Sequence, residues 1–193
     1  MKHLITYSFL RALSILLSLI PRGIAIFFAK KFGTFISIVY PKRKKVAIKN
    51  IKIAFPDKSK SEIEDLIKKT YRHYMVLIID FLRQNKFNIS KINMNSGTKK
   101  ILSSKDGLIL MTAHIGNWEM IIPILSKYKK TSAIVKIQRD SGGDKFVTKL
   151  RNLKNITLLA MGSSKRRMID TLKNGEVLAL ASDQNAGDKG TKI

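Results

Sequence analysis

Apolar residues recur at intervals of three and four between positions 63 and 81, the spacing that places them on one face of an α-helix. Ser61 lies just before this stretch, and Glu64 is three residues after Ser61. We therefore predict that Ser61 and Glu64 form a capping box at the helix N-terminus. The pattern therefore predicts one long amphipathic helix that buries its apolar face against another element.

In the second half of the chain, the helical spacing gives way to short continuous apolar runs of strand length. The runs lie at 108–113, 132–137, 156–161 and 177–181. Stretches with helical spacing separate them, at 118–126, 145–153 and 164–173. Strands that are apolar on both faces are typical of a covered sheet, and alternation with helices predicts a layered α/β fold with flanking helices.

The N-terminus is apolar and basic. Two apolar runs, 12–20 and 23–29, are separated by Pro21 and Arg22, and no Asp or Glu occurs before Asp57. We predict N-terminal hydrophobic helices that either lie in a membrane interface or span it together over 9–40. A buried pair of core helices is the alternative, whereas a signal peptide is disfavoured because no small-residue cleavage site follows.

The charge of the chain bears on the predicted membrane contact. The formal net charge is +24, which indicates a polyanionic neighbour such as nucleic acid or an anionic membrane surface. A basic cluster directly follows the apolar runs, with Lys42, Arg43, Lys44, Lys45, Lys49 and Lys52. Aromatic residues are not interleaved with these cations, so we expect a membrane surface and no nucleic acid. A basic nucleic-acid-binding protein stays the alternative from another class.

The domain organisation follows from these patterns. We predict a membrane-anchoring segment at 1–40 and a catalytic α/β domain at 41–193. The polar, Gly-rich residues 183–193 resemble a loop that leads to a further strand, so we expect the sheet to be incomplete at its C-terminal side.

A candidate site follows the first predicted strand, where α/β proteins place catalytic groups. His114 ends this strand, Gly116 allows a turn, and Asn117 is a good N-cap for a helix that places Glu119 in its first turn. We predict that the turn brings Glu119 to one imidazole nitrogen of His114, so that the other nitrogen can act as a general base. A core histidine beside a helix-capping glutamate is the alternative.

The sequence offers no protein nucleophile for covalent catalysis. Cysteine is absent, and no G-x-S-x-G motif occurs. The expected nucleophile is therefore a hydroxyl of the substrate, and the residues predict neither a cofactor nor a metal.

Several segments together resemble the bacterial lipid A biosynthesis acyltransferases, the lauroyl and myristoyl transferases. H-I-G-N-W-E at 114–119 is similar to their H-x-G-N-W-E form, and N-I-K-I-A-F-P at 50–56 to their N-L-x-x-A-F-P segment. The stretch 167–177, followed by Asp183 and Gln184, resembles a third and a fourth motif. The resemblance covers nearly the whole chain.

The resemblance implies transfer of a fatty acyl chain from acyl carrier protein to a hydroxyl of a lipid A precursor, within lipopolysaccharide synthesis, at the cytoplasmic face of the inner membrane. His114 would be the general base and Glu119 its partner. The residues expected to bind substrate are Gly116, Asn117, Lys136, Arg139, Arg167, Asp183 and Gln184.

Two departures from the family accompany this resemblance. Lys136 stands where the family usually carries an arginine, with Arg139 three residues later, and lysine keeps the charge but loses the two-pronged guanidinium. We also expect that the family's final third, which follows the D-Q motif, is missing from this sequence. A related enzyme that acylates another glycolipid or a phospholipid is the alternative within the same class.

Overall fold

The structure is a computed structural model that describes residues 2–136, 141–162 and 165–183. Backbone contacts divide the chain into two compact units. One unit is Ala12–Phe87, and the other joins Met1–Arg11 to Asn88–Ile193. The predicted division into an anchor at 1–40 and a catalytic domain at 41–193 stays a prediction.

The first half of the chain is helical. Its helices are α1 (Lys2–Leu19), α2 (Arg22–Val39), α3 (Pro41–Ala54) and α4 (Lys60–Leu82), followed by 3-10 turns at Gln84–Lys86 and Ile89–Lys91. Pro21 separates α1 from α2, because proline cannot continue the helical hydrogen bonds, and Pro41 occupies the first turn of α3. The basic cluster therefore lies on a helix, and so do residues 50–54 of the N-I-K-I-A-F-P segment.

Small residues on α2 allow a close approach to α4 within the unit Ala12–Phe87. Ala25, Ala29, Gly33 and Ser37 recur every four residues and are buried. A Cβ atom at Gly33 would lie 2.8 Å from the backbone of Arg72, so only glycine fits this contact. Across the same pair of helices, the Arg22 guanidinium donates two hydrogen bonds to Asp80, at 2.9 and 2.7 Å.

The large apolar residues of α2 face outward. Phe27, Phe28, Phe32, Phe35 and Ile38 are all exposed, whereas the small residues of the helix are buried. In the described part of the chain, no single helix is both long and apolar enough to cross a membrane. Only the pair of Arg22–Val39 with Arg43–Ala54, bent by 94°, meets that requirement together.

The capping box of α4 lies two residues earlier than predicted. Ser59 is the N-cap, its hydroxyl accepts the backbone N–H of Glu62, and the Glu62 carboxylate accepts the N–H of Ser59 at 2.9 Å. These hydrogen bonds, led by the one from the Ser59 backbone, lower the pKa of Glu62 to about 2. Glu64 instead forms an ion pair with Lys44 at 2.8 Å, so the prediction of Ser61 and Glu64 was wrong.

The second half confirms the predicted α/β class. The strands are β1 (Leu108–Thr112), β2 (Thr131–Val135), β3 (Ile156–Ala160) and β4 (Val177–Ala181). The helices are α5 (Ser96–Leu102), α6 (Ile121–Leu125), α7 (Ser141–Arg151) and α8 (Lys165–Lys173), with a 3-10 turn at Trp118–Met120. The strands form one parallel sheet in the order β1-β4-β2-β3.

Parallel pairing brings the carboxyl ends of the strands to one edge of the sheet. β1 pairs with β4 from Leu108 with Val177 to Thr112 with Ala181. Leu102, Leu125 and Val177 form a buried cluster on one side of this pair, and the side chains of Leu108 and Leu110 pack against it. The first strand and the last one are thereby fixed in register beside each other.

Candidate active site

His114 and Asp183 lie at equivalent positions beyond two neighbouring strands. Thr112 pairs with Ala181 at the carboxyl ends of β1 and β4, and each site residue follows its strand end by two positions. The Ser182 N–H donates to the Thr112 carbonyl at 3.1 Å, which extends the pairing one step further. The register of the sheet therefore delivers the imidazole and the carboxylate to the same place.

Asp183 contacts His114 through both of its carboxylate oxygens. Oδ1 lies 2.8 Å from imidazole Nδ1, and Oδ2 accepts the backbone N–H of His114 at 2.9 Å. The two side chains are 30% and 33% exposed, so the pair is accessible from outside. Because two hydrogen bonds fix the carboxylate, the direction of the imidazole ring is fixed as well.

The ionisation state of Asp183 determines the tautomer of His114. The hydrogen bond from the His114 side chain, together with the one from its backbone N–H, lowers the pKa of Asp183. An ionised carboxylate can only accept hydrogen bonds, so Nδ1 carries the proton and donates it to Oδ1. In the neutral ring, Nε2 is then the basic nitrogen, and it has no hydrogen-bond partner among the described residues.

A turn and an aromatic side chain support the imidazole. Gly116 has φ of +59°, a conformation that side-chain-bearing residues rarely adopt, and the space around it is open. The Trp118 ring meets the His114 ring edge to face, with centroids 5.2 Å apart. The predicted turn between strand and helix is thus present, although the Asn117 side chain forms no cap hydrogen bond.

Glu119 is held by Arg151 and forms no hydrogen bond with His114. The guanidinium donates from Nε at 3.0 Å and from a terminal nitrogen at 2.5 Å, and the two side chains are 20% and 26% exposed. Arg151 ends α7, so this ion pair joins the 3-10 turn after β1 to a separate helix. The predicted hydrogen bond between Glu119 and His114 is not formed, because each of the two groups has another, charge-complementary partner.

Three of the other predicted binding residues, Asn117, Lys136 and Arg167, lie at or near the same edge of the sheet. Asn117 is partly buried in the turn, and Lys136 is exposed one residue after β2. Arg167 is exposed in the first turn of α8, where its carbonyl accepts a hydrogen bond from Thr171 at 2.9 Å. Arg139 and Gln184 fall outside the described residues. No metal-binding group of three or more His, Asp or Glu side chains occurs within the described ranges.

The sequence analysis missed Arg151 and the contact of Asp183 with His114. Arg151 lies 32 residues from Glu119 in the chain, and only its place at the end of an amphipathic stretch distinguished it. Asp183 was expected to bind substrate and was not expected to contact His114. Its position shortly after an apolar run, like that of His114, was the available signal.

Comparison with known families gives a match along the whole chain. The model that describes the bacterial lipid A biosynthesis acyltransferase matches residues 1–193, and this range includes His114, Glu119, Arg151 and Asp183. No curated protein matches the chain.

The hydrogen bonds between His114 and Asp183 lead to a prediction about the pKa of Asp183. Its pKa is lowered in the folded protein, so the contact stabilises the fold above the ordinary carboxyl range, and this contribution is lost as pH falls through the lowered value. In His114→Asn, the pKa of Asp183 should rise toward its ordinary value. A carboxyl ¹³C NMR titration of both proteins measures this, and equal values would contradict the contact.

Proposed function

We propose that this chain, which belongs to the bacterial lipid A biosynthesis acyltransferase family, moves a fatty acyl chain from acyl carrier protein to a hydroxyl of a lipid A precursor. Membership of the family makes the protein an acyltransferase with an acyl donor and a lipid acceptor. The carrier protein and the precursor hydroxyl are our assignment, and the geometry at His114 is the observation that carries the chemistry.

In this proposal, His114 is the general base. Nε2 takes the proton of the acceptor hydroxyl while the hydroxyl oxygen attacks the thioester carbonyl carbon. Collapse of the tetrahedral adduct breaks the carbon–sulfur bond, and the imidazolium returns its proton to the leaving thiolate. One ester and one thiol form, and the imidazole is again neutral.

Asp183 acts as a positioning residue in this scheme. Its carboxylate accepts the Nδ1 proton at 2.8 Å, which keeps Nε2 basic and stabilises the imidazolium that forms during the reaction. The lowered pKa of Asp183 favours the ionised carboxylate, which accepts the Nδ1 proton. The Asp183 carboxylate thus orients the neutral imidazole and also stabilises the imidazolium.

Glu119 and Arg151 have a separate part in the scheme. Their two hydrogen bonds tie the turn that carries His114 and Trp118 to the end of α7. A two-pronged contact between guanidinium and carboxylate fixes direction as well as distance. We assign to this pair the positioning of the turn.

The proposal places the protein at the cytoplasmic face of the inner membrane. The exposed phenylalanines of α2 are suited to the acyl boundary, and the exposed cations Arg43, Lys45, Lys49 and Lys52 of α3 to anionic headgroups. Each cation near such a surface contributes about 1 kcal/mol. Both groups of residues belong to the unit Ala12–Phe87.

His114→Ala should abolish acyl transfer, because it removes the proposed general base that takes the hydroxyl proton. In a strain that lacks the gene, mass spectrometry should show lipid A without one secondary acyl chain. The wild-type protein should restore this chain, and His114→Ala should not. Restoration by the variant would contradict the mechanism, and an unchanged lipid A with an altered phospholipid or other glycolipid would contradict the acceptor.

Sedimentation with vesicles that contain anionic lipid is the control for this variant. Wild type and His114→Ala should sediment equally, because the residue lies outside the unit Ala12–Phe87. If the wild-type protein stayed in the supernatant, the membrane placement would be wrong.

A double-mutant cycle tests the assignment of Glu119. Glu119→Gln and Arg151→Gln remove the same ion pair, so each should lower kcat by a similar factor, and the double variant should lose little more than either one. Acyl transfer rates of the four proteins give the coupling. A much larger loss in Glu119→Gln than in Arg151→Gln would mean that Glu119 acts directly on the imidazole, against this assignment.

A further inference from the structure

A group of polar side chains lines a cavity within the unit that contains the sheet. The N-terminal part of α1 and the helix α7 enclose an open cavity of about 450 Å³. This volume is within the range of about 300 to 1,000 Å³ that is usual for small-molecule sites. None of the residues discussed so far lines it.

Close packing of the two helices maintains the cavity. A Cβ atom at Gly142 would clash with the carbonyl oxygen of His3, so the backbones are in direct contact there. The Tyr7 ring meets the buried Phe146 ring edge to face, with centroids 6.4 Å apart. Tyr7 is thereby held as one wall of the cavity.

Cations surround Tyr7. The Lys149 ammonium donates a hydrogen bond to the Tyr7 hydroxyl at 3.2 Å, and the Lys145 ammonium lies 5.4 Å from the ring centroid. The hydrogen bond from Lys149 lowers the pKa of Tyr7, and the charges of Lys149, Arg11 and Lys145 act in the same direction. Asp144 is the only carboxylate among the lining residues, so the lining has a net positive charge.

The remaining lining groups are hydrogen-bonding side chains. Ser141, Thr148 and Asn152 lie on the same side of α7 as the two lysines, at helical intervals. Hydroxyl, amide and carboxylate groups beside an aromatic ring suit a polyhydroxylated ring, whereas paired ammonium groups suit a phosphate. The same cavity therefore offers groups for a polyhydroxylated ring and groups for a phosphate.

We propose that this cavity binds a phosphorylated sugar, the headgroup of the glycolipid acceptor. Lys145 and Lys149 hold the phosphate, and the Tyr7 ring with Asp144, Thr148 and Asn152 holds the sugar. The inference rests on the proposed function, because it treats the headgroup as part of the acyl acceptor. Asn152 follows Arg151, which binds Glu119, so the same helix end positions both the headgroup site and the catalytic turn.

Isothermal titration calorimetry with the full chain in detergent tests the site directly. The probe is glucosamine 1-phosphate, compared with glucosamine, inorganic phosphate and glycerol 3-phosphate. Glucosamine 1-phosphate should bind most tightly. Absence of binding would overturn the proposal, and so would equal binding of glycerol 3-phosphate or inorganic phosphate, which would identify a general phosphate site.

Matched lysine variants locate the binding. Lys149→Gln and Lys145→Gln should each weaken binding of glucosamine 1-phosphate about tenfold, because each removes a charged hydrogen-bond donor. Lys154→Gln is the control, since Lys154 is exposed just beyond α7 and does not line the cavity. An equal loss in the control would mean that net charge alone drives binding, against the proposal.

Acyl transfer kinetics separate this inference from the proposed function. Lys149→Gln should raise the KM for the acceptor about tenfold and leave the KM for the acyl donor unchanged. Active wild-type enzyme with an unchanged acceptor KM in the variant would overturn the site and leave the function standing. Binding of the sugar phosphate without any acyl transfer by the wild-type protein would instead overturn the function.

Discussion

The parallel pairing of β1 with β4 is the constraint on which the site depends. The two strands are separated by 64 residues of chain, from Thr112 at the end of one to Val177 at the start of the other, yet they are neighbours in the sheet. Their register places Asp183 opposite His114 without any contribution from local sequence. A shift of one residue would turn every side chain of a strand to the other face, so packing of Leu108 and Val177 on the buried cluster also fixes the site.

The carboxylates of Asp183 and Glu119 have different partners, and these partners distinguish their proposed roles. Asp183 contacts the ring and the backbone of His114, whereas Glu119 is bound by the guanidinium of Arg151. A carboxylate in a two-pronged ion pair has its direction set by its partner, so Glu119 is oriented toward α7. In the proposed mechanism, the carboxylate at the sheet edge sets which imidazole nitrogen is basic, and the ion pair with α7 positions the turn that carries the ring. The proposed headgroup cavity on α7 would couple acceptor binding to that same turn.

Much of the fold could be predicted from local patterns, because strand runs and helical spacing are properties of neighbouring residues. The strand at 177–181 was predicted at its observed bounds, and α4 begins and ends within a few residues of its prediction. The capping box was placed wrongly because Ser59 with Glu62 and Ser61 with Glu64 have the same spacing, and only the ion pair of Lys44 with Glu64 distinguishes them. The partner of His114 could not be read from spacing, since it depends on which strands are neighbours. Glu119 is closer to His114 in sequence than Asp183 is, but the Arg151 guanidinium at the end of α7 binds the Glu119 carboxylate.

General-base catalysis by His114 requires that the proton of the neutral ring lies on Nδ1 and that Nε2 carries none. Two-bond ¹⁵N–¹H correlation spectra of the histidine side chains report this directly, and a His114→Gln spectrum identifies the signal. We expect a protonated Nδ1 and an unprotonated Nε2 in the neutral ring. A ring that carries its proton on Nε2 would contradict the hydrogen bond to Asp183, and with it the assignment of His114 as a base oriented by that carboxylate.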